Sequence, residues 1–516
     1  MSKFLRGTMI LMVAGLITRL LGFINRIVIA RMIGAEGVGL FMMAFPTLIL
    51  VITLTQMGLP VAISKAVAEA EAKGDKRKTK KILTVSLAVT VSLSLLFTPA
   101  LILAAPFLSK TLFTDQRIYY PLVAIAPIIP IVAISSVIRG YFQGKQNMKP
   151  AAVSQVLEQA VRIALIVFFA KSFLHLGIEY AAAAAMVASV LGELASLIYL
   201  FAMFKAKKKF PVRKHFFKSI QSGKQTLQEL LSVGIPTTGS RMIGSLSWFF
   251  EPIVVSHSLL LAGVAAGMAT KQYGLLTGYA LPLLTLPSFI TYSLSTALVP
   301  AVSEANASRN YQLVEYRLQQ ALRFALLTGG LAIVILYVYA EPLMSWMYGS
   351  SNGAGFIKLM APFFIFHYYQ GPLLAILQSL DLAKAAMINS LIGNAMKIGV
   401  IFVLASRTEF GINGVALGIA AGTVLITMLH YATVLKRIQF TIYILHYIKF
   451  GIAALTTCWI GNYLIKKVFA DSMSSLLDLL IGILLTSLLY IILLICLKLL
   501  QKDDLTKIPF INKLIA

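Results

Sequence analysis

Apolar stretches long enough to cross a membrane fill most of this 516-residue chain. A helix needs about 20 apolar residues to span the hydrocarbon core, and only helices or closed barrels satisfy their backbone hydrogen bonds there. The stretches predict fourteen spanning helices, near residues 8–32, 39–63, 82–108, 118–142, 151–173, 178–204, 229–258, 273–300, 321–348, 356–380, 386–406, 412–435, 443–466 and 475–500. With 59% hydrophobic and 12% charged residues, an ordinary soluble domain is excluded. We therefore predict an all-α polytopic membrane protein.

Lysine and arginine are concentrated in the connections between these stretches, and the net charge is +26. The basic connections follow the second, fourth, sixth and twelfth predicted spans, and the tail is basic too. By the positive-inside rule these connections and both termini face the cytoplasm. A long basic run also suits nucleic acid, but beside membrane helices we interpret it as an orienting loop that faces lipid headgroups. We expect a multi-pass protein of the cytoplasmic membrane whose partners include membrane lipids and no nucleic acid.

The sequence repeats itself after six spans. Residues 18–22 (TRLLG) correspond to residues 240–244 (SRMIG), and Arg162 corresponds to Lys397. Because six is even, both copies enter the membrane from the same side, so we expect an axis along the membrane normal and a central cavity between them. We predict an N-terminal six-helix lobe over 1–210, a C-terminal six-helix lobe over 225–440, and two extra helices with a cytoplasmic tail over 441–516.

Arginines and an asparagine stand inside the first predicted span. Arg19 lies near mid-depth, where a charged side chain costs about 2.5–3.5 kcal/mol to insert, so it cannot face lipid. Gly15, Gly22 and Arg26 share its helix face, and Arg241 repeats the pattern in the seventh span. We expect a substrate-binding cavity lined by Arg19, Asn25, Arg26, Arg241 and Glu251. A merely structural polar seam is the alternative.

Three further charges lie in the fifth and sixth predicted spans. Glu158 and Arg162 are spaced i, i+4, which lets them neutralise each other within one helix, and we interpret this pair as structural. Glu193 is a lone acid deep in an alanine-rich span. It either balances an arginine or carries a coupling proton, and its sequence context leaves both uses open.

The sequence carries no motif of covalent chemistry. It has no glycine-rich phosphate loop with its lysine and no HExxH, and its two cysteines, Cys458 and Cys496, lie apart in late apolar stretches. We therefore expect neither an enzyme nor a cofactor or metal site, but a secondary transporter or flippase. Arginine stays charged and its planar fork suits phosphate and carboxylate, so the cavity arginines predict an anionic ligand. An exporter of cationic drugs would be expected to place an acid where Arg19 stands.

Several strings together resemble one transporter family. They are residues 18–26, 56–65 and 139–144, and the likeness continues through 272–274 and 298–300 to the tail. They resemble the polysaccharide-transport branch of the multidrug/oligosaccharidyl-lipid/polysaccharide exporter superfamily, which includes the MurJ-type lipid II flippases. The resemblance implies a flippase of undecaprenyl-linked peptidoglycan precursors in spore cortex synthesis, placed in the mother-cell or outer forespore membrane.

The family pattern carries over to the first span only in part. Arg19 matches the first cavity arginine of the MurJ pattern, but the position of the second holds Asn25, with Arg26 following. The arginine pair of the family's second span is replaced by apolar residues around 50–52. We predict a monomeric flippase of a lipid-linked saccharide pyrophosphate, with cell-wall synthesis enzymes as further partners. A cation-coupled multidrug exporter and a non-transporting membrane scaffold for cell-wall enzymes remain as alternatives.

Overall fold

The computed structural model describes residues 3–207, 223–438, 444–468 and 476–500. Across these ranges the regular secondary structure is entirely helical, which confirms the all-α membrane class. Eleven of the described helices are long and apolar enough to cross a membrane, or up to twelve if the bent pair Ala266–Thr285 and Ser288–Ala307 forms one span. The predicted number of fourteen is therefore not confirmed and stays a prediction.

The α-helices are numbered in chain order. They are α1 (Lys3–Gln56), α2 (Leu59–Ala72), α3 (Lys76–Phe107), α4 (Tyr119–Ile125), α5 (Ile128–Gly144), α6 (Lys149–Phe173), α7 (Ile178–Lys207), α8 (Lys224–Leu261), α9 (Ala266–Gly274), α10 (Leu281–Thr285), α11 (Ser288–Ala307), α12 (Tyr311–Val338), α13 (Ala340–Tyr348), α14 (Ala354–Met360), α15 (Phe364–Ser379), α16 (Ala383–Ala405), α17 (Gly411–Arg437), α18 (Ile444–Val468) and α19 (Leu476–Cys496). Short π or 3₁₀ turns lie at Leu108–Leu112, Gln116–Ile118, Leu174–Leu176, Leu275–Ala280 and Ala361–Phe363.

Two places account for the difference between the fourteen predicted spans and the twelve that are counted when the bent pair forms one span. The 54 residues of α1 extend for about 80 Å at 1.5 Å per residue, against a hydrocarbon core of about 30 Å. This helix therefore has room for the first predicted span and most of the second, and it is broken by non-helical backbone at Gly34 (φ 67°, ψ 180°). The predicted span 356–380 is divided among α14, a 3₁₀ turn and α15, each shorter than a complete span.

The basic connections are only partly covered by the structure. Lys73 follows α2, Lys76 and Arg77 begin α3, and all three are exposed. Asp75 caps α3 by accepting a hydrogen bond from the Lys78 amide at 2.8 Å. The connection 208–222 and the tail 501–516 lie outside the described residues. The cytoplasmic placement of these connections and of the termini stays a prediction.

Internal contacts divide the chain into two compact units. The first comprises Met1–Gly278 with Ile398–Val415, and the second comprises Tyr279–Lys397 with Ala416–Ala516. The first unit therefore includes α8 and α9, which the sequence repeat assigns to the C-terminal lobe. The predicted boundaries were drawn from the sequence repeat and not from contacts. The lobes over 1–210 and 225–440 and the segment 441–516 therefore stay a prediction.

Each unit has its own apolar core. In the first unit, α2, α3, α5, α7 and α8 contribute one cluster, which includes Ile63, Ile82, Val137, Leu200 and Leu230. In the second unit, one cluster joins α11, α12, α15, α16 and α17, and another joins α12 to α18 and α19. The two helices outside the repeat are therefore packed on α12.

A glycine contact of the same kind occurs in both repeats. A Cβ on Gly192 of α7 would lie 2.9 Å from the Glu158 carbonyl oxygen and 3.1 Å from Arg162 Cβ, both in α6. A Cβ on Gly422 of α17 would lie 3.3 Å from the carbonyl oxygen of residue 393 and 2.6 Å from Lys397 Cβ, both in α16. Small residues let membrane helices approach closely. Since Arg162 and Lys397 correspond in the sequence, this shared contact supports the internal repeat.

Replacing Gly58 by alanine should destabilise the protein far more than replacing Gly74. Both glycines have left-handed backbones (φ 62° and φ 68°), a conformation that costs an ordinary residue about 1–2 kcal/mol. A Cβ on Gly58 would also lie 2.4 Å from the carbonyl oxygen of Gly234 in α8, whereas no described atom lies within 4 Å at Gly74. Thermal unfolding in detergent measures the difference, and equal shifts in Tm would show that this helix contact is unimportant.

Candidate functional site

The arginine face of α1 is open around Arg19. The Arg19 side chain is exposed. Gly15 and Gly22 lie about one turn away on either side, and within the described ranges no atom comes within 4 Å of the position of a Cβ on either glycine. A charged side chain inside a membrane needs water or a counter-charge rather than lipid. This open face favours a polar cavity over a packed polar seam.

Helix α8 is open around its own arginine. Arg241 is exposed, and the Cβ positions of Gly239 and Gly244 have no neighbour within 4 Å among the residues described. The same helix is tightly packed nearer its start, where a Cβ on Gly234 would lie 2.5 Å from the Met57 carbonyl oxygen. The two corresponding arginines, in α1 and α8, therefore have the same open surroundings.

The other predicted cavity residues are less accessible. Arg26 is half-buried, while Asn25 is 7% exposed and Glu251 is 5% exposed. The Asn25 Oδ1 atom accepts no hydrogen bond from the part of the chain that the structure describes. The structure therefore exposes Arg19 and Arg241 and buries Asn25 and Glu251. The binding roles of all five residues stay predictions.

Four charged side chains form a cluster in the first unit. Arg139 of α5 donates from Nη2 to Glu193 Oε1 of α7 at 3.0 Å, and the same nitrogen lies 3.6 Å from Glu158 Oε2 of α6. Arg162 forms an ion pair with Glu158 one helical turn away, as its spacing predicts. Arg139 also donates to the Ser196 hydroxyl at 2.9 Å. The two positive charges of the arginines and the two negative charges of the glutamates therefore cancel within this cluster.

Arg139 is the partner that the sequence did not reveal for Glu193. Arg139 lies near the end of α5, in the string 139–144 that carries part of the family resemblance. The one feature of the sequence that could have indicated this partner is the presence of an arginine inside the predicted span 118–142. Isolated buried charges are costly, whereas paired and hydrogen-bonded ones are tolerated. The contact supports the charge-balancing use of Glu193, Glu158 and Arg162. A coupling role for Glu193 stays a prediction.

Comparisons with known proteins identify the relatives of this chain. The polysaccharide biosynthesis protein family model matches residues 4–306, and the MatE family model matches residues 276–403. Stage V sporulation protein B of Bacillus subtilis (strain 168) is 59% identical over 514 residues, covering 100% of this chain and 99% of that protein. The lipid II flippase MurJ of the same organism is 26% identical over 429 residues, covering 77% of this chain and 76% of that protein.

Solved structures show the same fold at low sequence identity. An inward closed structure of the lipid II flippase MurJ has a TM-score of 0.67 at 17% identity, covering 98% of this chain and 99% of that one. An inward-facing multidrug resistance transporter of the MATE family has a TM-score of 0.66 at 19% identity, covering 82% of this chain and 94% of that one. The chain therefore belongs to the polysaccharide biosynthesis protein family.

Proposed function

We propose that this protein is a flippase that moves an undecaprenyl pyrophosphate-linked disaccharide-peptide across the cytoplasmic membrane for spore cortex synthesis. The observation that carries the proposal is the pair of exposed arginines, Arg19 and Arg241, on open and repeat-related faces of membrane helices. The relatives named as a sporulation protein and a lipid II flippase support the choice of substrate.

The chemistry of the arginine pair suits a lipid-linked pyrophosphate. A pyrophosphate carries at least two negative charges, and each guanidinium can donate two parallel hydrogen bonds to it. Such pairing is strengthened where water is scarce. Arginine cannot lose its proton, so Arg19 and Arg241 present fixed positive charge throughout the cycle. The headgroup occupies the cavity while the lipid tail stays in the bilayer.

Transport by this route requires access from each side of the membrane in turn. We expect one six-helix lobe to rock against the other, as in other transporters built from repeats. The tail, too large for the cavity, leaves through a lateral gap, and the open surroundings of Gly15 and Gly22 support a gap beside α1. The protein works as a monomer in the mother-cell or outer forespore membrane, with both termini in the cytoplasm.

A cation-coupled multidrug exporter is the second candidate. The MatE match over residues 276–403 favours it. An exporter of cationic drugs is expected to attract its substrate with acids, whereas the exposed intramembrane charges of α1 and α8 described above are arginines. The anionic substrate is therefore the better fit.

Deletion of the gene in its spore-forming host separates these two functions. We expect loss of the cortex, accumulation of unflipped lipid-linked precursor, and unchanged resistance to cationic dyes. The precursor is measured by extracting lipid from sporulating cells, and dye resistance by growth. A normal cortex together with lost dye efflux would transfer the assignment to the multidrug exporter.

A further inference from the structure

A cluster of charged side chains outside the arginine faces joins three segments of the first unit. Arg117, in the 3₁₀ turn Gln116–Ile118, donates from Nε and Nη2 to the Asp115 carboxylate at 3.0 and 2.8 Å. Its Nη2 also lies 2.7 Å from Glu36 Oε1, just past the break in α1 at Gly34. Thr270 of α9 donates its hydroxyl to Asp115 Oδ2 at 2.8 Å. Asp115 is only 5% exposed.

Direct backbone contacts accompany this cluster. A Cβ on Gly39 of α1 would lie 2.0 Å from the Thr270 carbonyl oxygen, and a Cβ on Gly274 of α9 would lie 2.1 Å from the Ala35 carbonyl oxygen. The two helices are therefore in contact along about one turn, with the charged cluster beside the same contact. The connections at this end of the first unit, near residues 33–38, 109–117 and 259–272, alternate along the chain with the strongly basic connections, so the positive-inside rule places this end on the non-cytoplasmic side.

We propose that Glu36, Asp115 and Arg117 form an ion-pair latch that closes on Thr270, holds α1 and α9 together at the non-cytoplasmic end, and releases when the protein opens to that side. The latch rests on the proposed function, because only a transporter with alternating access needs such a release. In the sequence repeat, α9 begins the second helix of the C-terminal half, whereas α1 belongs to the N-terminal half. The latch therefore joins elements that a rocking motion must separate.

Asp115 is ionised at neutral pH. Burial opposes ionisation of Asp115, but the hydrogen bonds from Arg117 and Thr270 outweigh it, so the pKa of this carboxyl lies below its usual value. The ion pairs with Arg117 can persist when Thr270 moves away, so release leaves no buried charge uncompensated. Loss of the Thr270 hydroxyl should therefore weaken the latch without disturbing the charged cluster.

Cysteine labelling below the latch tests this proposal. Met43 of α1 is 1% exposed, and its Sδ atom lies 3.9 Å from Thr270 Oγ1. We expect Met43→Cys, in a Cys458→Ala, Cys496→Ala background, to react slowly with a water-soluble maleimide in detergent. Thr270→Val should raise the labelling rate about tenfold, the effect of losing one hydrogen bond to a charged group. Asp115→Asn should raise it at least as much.

Thr277→Val is the matched control. Thr277 is also a buried threonine, and its hydroxyl donates to the Tyr273 carbonyl oxygen within its own helical segment at 2.7 Å. With Thr277→Val, the cysteine of Met43→Cys should be labelled at the same rate as in the protein that carries Met43→Cys without a threonine substitution. Unchanged labelling in both Thr270→Val and Asp115→Asn would overturn the latch, even if transport were intact. Faster labelling with Thr270→Val but not with Thr277→Val would support the latch, whether or not the precursor is transported. The labelling result therefore tests the latch separately from the proposed flippase function.

Discussion

Replacing both Arg19 and Arg241 by alanine should reduce precursor transport by at least about 100-fold, since each lost charge-assisted contact is worth roughly 1.5–3 kcal/mol. Protein levels should stay near normal, because both side chains are exposed and removing an intramembrane charge relieves an insertion cost. Transport is measured by complementing a deletion strain and by quantifying the precursor that accumulates. Each single variant should show part of the loss.

Two further variants sharpen this prediction. Arg19→Lys should be only partly active, because lysine keeps the charge but loses the bidentate fork. Arg77→Ala removes an exposed arginine at the start of α3, away from the open faces, and should transport normally. Full activity of the Arg19→Ala, Arg241→Ala protein would show that these arginines do not bind the substrate.

Replacing Glu193 by alanine should strongly destabilise the folded protein. The substitution removes the 3.0 Å partner of Arg139, and breaking a buried ion pair from one side typically costs about 3–5 kcal/mol. The double variant Arg139→Met, Glu193→Leu should recover much of this loss, because it removes both charges together. The loss is measured as a lower Tm in detergent and as a smaller folded fraction on size-exclusion chromatography.

An exposed ion pair provides the control for the buried one. Glu341 contacts Lys358 at 2.6 Å, and both side chains are well exposed, so Glu341→Ala should change stability little. Glu193→Gln keeps the size of the side chain and one accepting oxygen, but it carries no charge and cannot bind a coupling proton. A stable but inactive Glu193→Gln protein, with normal stability in Glu193→Ala, would contradict the charge-balancing use and favour proton coupling.

The sequence predicted most spans because apolar length directly reflects the thickness of the bilayer. The predicted spans 151–173 and 178–204 fall within α6 and α7, and 82–108 extends one residue beyond the end of α3. It did not predict that α1 runs through two predicted spans with only a local break at Gly34, because hydropathy shows where a segment is apolar but not how two segments join. The division of 356–380 into short helices was missed for the same reason.

Parts of the candidate site were predictable because they depend on neighbours within one helix. The i, i+4 spacing predicted the pair of Glu158 and Arg162. Partners on different helices were not predictable. Arg139 and Glu193 are 54 positions apart, and Asp115 and Thr270 are 155 apart, so only tertiary packing brings them together.

Transport by the purified protein tests the central claim most directly. The protein is reconstituted in liposomes with a fluorescent undecaprenyl pyrophosphate-linked disaccharide-peptide in both leaflets, and a membrane-impermeant quencher is added outside. We predict that the protected fraction declines with time in the presence of the protein and stays constant with Arg19→Ala, Arg241→Ala. A protected fraction that stays constant with the intact protein, together with transport of a cationic dye in the same liposomes, would contradict the account.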